Sequence, residues 1–174
     1  MGIFACLVAL FVCDTAQARP IEVDAGHWRL ELQGVDVIDP SGSDGDFYVS
    51  GSVEYEMPTA LDHLNFGLRA YPLFVYGGDD NTYAVAAGFT LRCYQHAVTR
   101  DGFYAEIGSG PIWLSRELEG NSSRVNFLSE LGLGYKFPDK PWSLSLKYQH
   151  ISNAGLSDNN KGVNAISFGV GYTF

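Results

Sequence analysis

Residues of alternating polarity run through most of this chain, and no helical period replaces them. From Phe47 to Met57, Phe47, Val49, Val53, Tyr55 and Met57 share one face. Tyr48, Ser50, Ser52, Glu54 and Glu56 share the other. A period of two is the signature of a strand with two unlike faces. It recurs at Leu64–Tyr76, Tyr83–Cys93, Val125–Phe137, Trp142–Ser152 and Val163–Phe174, and segments near Trp28–Val37 and Phe103–Trp113 bring the count to eight. Strands of about ten residues, in even number and joined by short turns, suit a closed antiparallel barrel that spans a membrane. The expected fold is all-β, an eight-stranded antiparallel up-and-down transmembrane β-barrel.

Composition agrees with that expectation. Mean hydropathy is -0.02, as expected when an apolar outer face averages with a polar inner one. The longest near-apolar run, Gly2–Cys13, is 12 residues, too short for a spanning helix, which needs about 20. A net charge of -9 argues against nucleic-acid binding, which needs clustered Lys and Arg. Aromatic content of 14% with only 18% charged residues excludes disorder. A soluble lipocalin-like barrel is the competing fold. It would turn its apolar residues inward, whereas Arg69, Arg92, Glu130 and Lys136, interleaved with glycines, read as the lining of a hydrated lumen.

Residues 1–18 read as a secretory signal peptide, with an apolar stretch at Ile3–Val12 and a small-residue cleavage site at Ala16-Gln17-Ala18. The mature domain is then 19–174. Cys6 and Cys13 depart with the signal, and Cys93 has no partner for a disulfide. The chain ends in Tyr172-Thr173-Phe174, an alternating strand with a terminal aromatic that resembles the recognition signal of bacterial outer-membrane barrels. With both termini periplasmic, the connections around Asp36–Asp46, Gly77–Asn81, Arg116–Asn121 and Asn153–Gly162 are expected outside the cell.

Three polar residues break the apolar face. Trp142, Leu144, Leu146 and Tyr148 set the outward parity of the seventh strand, and His150 and Ser152 continue it. Asn164 shares the outward parity of Ile166 and Phe168 in the eighth. Polar groups facing lipid are costly unless paired. Side chains two apart on a strand start about 6.5–7 Å from one another, close enough for imidazole to take a serine proton. Asn164 can offer its carbonyl to the other ring nitrogen, and Asn153 can donate to an oxyanion. By itself a His-x-Ser pair more often marks an interfacial histidine than a nucleophile.

Tyr148-Gln149-His150-Ile151-Ser152-Asn153-Ala154-Gly155, followed by Asn160-Lys161-Gly162-Val163-Asn164, resembles the end of the PagL-type lipid A 3-O-deacylases. Gly120–Phe127 and Gly132-Leu133-Gly134 are similar to the preceding segment of that family. The resemblance implies an outer-membrane serine esterase without a cofactor, acting on lipid A in the outer leaflet. It implies Ser152 as nucleophile, His150 as base and Asn153 at the oxyanion hole. The third triad member of the family, often Glu, falls on Asn164, so the expected triad is a Ser-His-Asn variant. Asp158 is the nearest acid that could substitute. The partners expected are lipopolysaccharide and the membrane itself, with no nucleic acid, and a homodimer stays open. The alternatives are a non-enzymatic barrel with a structural or adhesion role, and a catalytically inactive member of the family.

Other candidates carry less. His27, His63 and His96 lack metal-ligand spacing, so no metal is expected. Asp44, Asp46, Asp79 and Asp80 read as solvated loop charge, and Asn121-Ser122-Ser123 as a sequon without meaning in this compartment.

Overall fold

The computed structural model describes residues 26–38, 47–77 and 82–174. The expected signal peptide, its two cysteines and the four loop aspartates lie outside the described residues. The strands are β1 (His27–Val37), β2 (Phe47–Pro58), β3 (Leu64–Gly77), β4 (Thr82–His96), β5 (Asp101–Leu114), β6 (Val125–Lys136), β7 (Trp142–Ser152) and β8 (Val163–Thr173). They close in sequence order into one barrel, with β1 antiparallel to both β2 and β8. Closure leaves no strand edge, which matters where no water is present to pair a free N–H or C=O.

Polarity is inverted relative to a soluble barrel. Along β7, Ser143, Ser145, Lys147, Gln149 and Ile151 are buried, while Trp142, Leu144, Leu146 and Tyr148 are exposed. Leu146 is 57% exposed and Arg92 is 0% exposed. An apolar exterior over an ionic interior suits hydrocarbon and excludes the lipocalin-like alternative. Aromatic rings crowd the end of the barrel where β1 starts and β8 finishes, with Trp28 against Tyr55 at 5.0 Å, Phe103 against Tyr135 at 5.0 Å and Trp142 against Tyr172 at 4.8 Å between centroids. This is the interfacial girdle that the strand-end aromatics predict.

The lumen departs from the expected hydrated space. An eight-stranded barrel is just wide enough for side chains to fill, and here ions fill it. Arg92 donates to Glu106 at 2.6 and 2.8 Å, to Glu54 at 2.7 Å, and also to Glu56. Arg69 reaches Glu54 at 2.5 Å and Glu130 at 2.9 Å. Lys147 bridges Glu31 at 2.7 Å and Glu106 at 2.6 Å. Mutual pairing is what makes these buried charges tolerable. Toward the loop end opposite the girdle, the lumen changes to an apolar plug that includes Val35, Ile112, Leu118, Leu128, Ile151 and Val163.

Alternation breaks once in β3. Ala70 pairs with Val53, but Leu73 pairs with Gly51, so an extra residue is accommodated beside Pro72. Proline cannot donate to a ladder and is found at such bulges. Beyond it, Val75 stands opposite Val49, an outward position. The single outward parity expected for Leu64–Tyr76 therefore does not extend past the bulge.

Candidate active site

Three inward side chains fix the outward ones on β7. Lys147 is held by Glu31 and Glu106. Gln149 donates to Gln33 at 2.8 Å and Glu130 at 2.7 Å. Ile151 is buried in the apolar plug. A slip of one residue would expose all three to lipid, so Tyr148, His150 and Ser152 are held on the exterior.

His150 pairs directly with Asn164 across β7 and β8. Its Nδ1 lies 2.8 Å from Asn164 Oδ1. A carbonyl oxygen only accepts, so Nδ1 carries the proton and Nε2 keeps its lone pair. The Tyr148 hydroxyl donates to the same Oδ1 at 2.5 Å. Three polar groups on the lipid-facing wall thus satisfy one another. The outward polar row continues on the other side of His150 through Ser129 and Ser109, each paired with its neighbour across the ladder, with hydroxyls 3.3 Å apart.

Ser152 stands at the end of β7 opposite Phe127. It is half-buried, and among the described residues its hydroxyl has no hydrogen-bond partner. Catalytic hydrogen bonds are often loose before substrate binds. Gly162 faces the imidazole closely: a Cβ added there would lie 2.5 Å from His150 Cε1. Asp158 is exposed, and Nδ1 is taken by Asn164, so the acid does not stand in for it.

The turn after Ser152 is tightly built. Asn153 is 0% exposed. Its Nδ2 faces Asn121 Oδ1 at 3.1 Å, Ser157 Oγ at 2.6 Å and Asn159 O at 2.8 Å. Its Oδ1 accepts from the Gly155 amide at 2.8 Å, an Asx turn that carries Ala154 and Gly155 at φ 54° and 81°. Its own backbone N–H donates to Asn160 Oδ1 at 2.9 Å. An amide has two N–H hydrogens, and both are committed within the loop. The expectation that Asn153 itself donates to an oxyanion therefore meets no free hydrogen, and its side chain frames the turn instead. Asn160, anchored through its oxygen, keeps an Nδ2 without a partner among the described residues. The β5–β6 connection clamps this loop, with Asn121 bridged to Asn160 and Lys161 N donating to Gly120 O at 3.0 Å.

Tyr148, Asn160, Gly162 and Asn121 are not singled out in the sequence. Tyr148 carries a legible signal, since it shares parity with His150. Asn121 and Asn160 lie in the segments that carry the family resemblance, but no spacing in the sequence joins them to the cluster; loop contacts do. His27, His63 and His96 lie away from this cluster: His63 is bonded to Tyr94 O at 2.9 Å and His96 to Asp101 at 2.6 Å. Among the described residues, no group of three or more His, Cys, Asp or Glu is arranged around a metal position.

Comparison with known proteins adds an independent line. The chain is 24% identical to the lipid A deacylase PagL of Bordetella bronchiseptica (strain ATCC BAA-588 / NCTC 13252 / RB50) over 99% of its own length and 95% of the relative. It superposes on the crystal structure of the outer membrane enzyme PagL with a TM-score of 0.65 at 18% identity, covering 83% of this chain and 98% of that one. The N-terminal β-barrel domain of Pseudomonas aeruginosa OprF also fits, with a TM-score of 0.52 at 16% identity over 85% and 97% of the two chains. Those superpositions speak for the barrel alone. The profile of the family described as Lipid A 3-O-deacylase (PagL) matches residues 25–173, and the chain therefore belongs to that family of outer-membrane ester hydrolases.

Proposed function

We propose that this protein is a serine esterase that removes the acyl chain at the 3 position of lipid A, working from the lipid-facing exterior of its barrel. One observation carries the reading: a paired His150 and Asn164 share the outward face with Ser152, where a soluble substrate would not reach but a lipid would. The His150 Nε2 lone pair takes the Ser152 proton as Oγ attacks the ester carbonyl. The Oγ–C bond forms and the carbonyl π pair moves to oxygen. That oxyanion is met by Asn160 Nδ2, which Asn153 holds beside the nucleophile. Collapse breaks the bond to the sugar oxygen, which leaves with the proton from imidazolium. Water then attacks the acyl-enzyme under the same base and frees the fatty acid. No cofactor takes part.

Asn164 orients the imidazole but places no full negative charge beside the imidazolium. That substitution favours, as a second reading, a slow or silent member of the family. Mass spectrometry of lipid A from cells expressing wild type or Ser152→Ala decides between them. Loss of one 3-linked acyl chain with wild type alone supports the esterase. Identical lipid A in a host that makes a 3-O-acylated substrate overturns it.

A further inference from the structure

The structure assigns Tyr148 as a positioning residue that selects the histidine tautomer by orienting the Asn164 amide, and this inference rests on the esterase reading above. A carboxylate beside Nδ1 offers only acceptors, so its charge alone fixes the ring proton there. Asn164 has two unlike ends. The terminal torsion of asparagine is broad and roughly two-fold, so reversing the amide strains little. Reversal would turn Nδ2 toward His150, make Nδ1 an acceptor and move the ring proton to Nε2. An Nε2–H imidazole cannot take the Ser152 proton. The choice between the two states thus needs a second partner, and Tyr148 is placed as that partner. Its hydroxyl reaches the same Oδ1 that faces His150, at 2.5 Å against 2.8 Å. A phenol is a better donor than acceptor, so the pair Tyr148 and His150 favours the orientation with oxygen inward. Both donors come from one strand at positions two apart, opposite Asn164 and its neighbours on β8. Tyr148 lies on the same outward face of β7 as His150.

The inference is tested with Tyr148→Phe, which keeps the ring and its packing, in the wild-type chain and in an Asn164→Glu background. Loss of the bias lets the inactive tautomer compete, and a hydrogen bond of ordinary strength makes that about a tenfold fall in kcat. KM should stay unchanged. In the Asn164→Glu background, Tyr148→Phe should cost less than half as much on a logarithmic scale, because a carboxylate has no donor end. In parallel, 15N NMR of His150 in detergent should show an unprotonated Nε2 in wild type and a shift toward protonated Nε2 in Tyr148→Phe. An equal loss in both backgrounds, or an unchanged His150 spectrum, overturns the assignment. Ser152→Ala in the same assay separates the two claims: if wild type is no more active than Ser152→Ala, the esterase reading fails, and the His150 spectrum still decides the role of Tyr148.

Discussion

The Nδ1 of His150 and the Oδ1 of Asn164 are 2.8 Å apart on the outer wall of the barrel, directly paired across neighbouring strands. The contact orients the ring without supplying charge. Replacing Asn164 by Glu places a carboxylate at the same register. The imidazolium formed in the transition state is then stabilised by a full charge, and kcat should rise about tenfold. Deacylation kinetics with purified protein in detergent check this. An unchanged kcat would show that Asn164 does not act through the ring.

Gly162 tests the geometry from the other side. A methyl there would stand 2.5 Å from His150 Cε1, so the ring must swing or the loop must yield. A displacement near 1 Å at a reacting group can cost about a hundredfold in rate. Gly162→Ala should therefore lose one to two orders of magnitude in kcat/KM, on the order of that limit, with an unchanged unfolding midpoint. If activity falls only in step with stability, the close approach has no part in positioning the ring.

Arg92 concerns the lumen. It is fully buried and binds Glu54, Glu56 and Glu106. Arg92→Met removes the cation and leaves three carboxylates facing one another out of water. Breaking such a buried network costs about 3–5 kcal/mol, read as a lowered urea midpoint in a bilayer or detergent. Arg92→Met with Glu106→Gln should recover part of the loss, since the double substitution removes one of the stranded charges. A single variant as stable as wild type would mean that water already screens the lumen.

The barrel was legible because its determinant is local. Side chains alternate with a period of two wherever a strand separates lipid from lumen, so β7 and β8 could be drawn residue by residue. Parity also placed His150, Ser152 and Asn164 on the exterior. Reading failed where the chain departs from that period. The bulge beside Pro72 resets the faces of β3, and nothing in the alternation announces where a ladder skips. The lumen was misjudged because polarity shows which side faces inward, not whether water or counter-ions fill it.

The sequence by itself determined the fold class, the membrane-facing polarity and the face that bears the candidate nucleophile and base, since all three follow from alternation along single strands. Only the tertiary structure decided what each polar group touches. Asn153 looked like a donor because it follows Ser152, yet its two amide hydrogens are shared among three acceptors, on Asn121, Ser157 and Asn159. Tyr148 looked like one more lipid-facing aromatic, yet its hydroxyl closes on Asn164. Hydrogen bonds have a short reach and a fixed direction, and the partners that satisfy them come from strands and loops that sequence distance does not bring together.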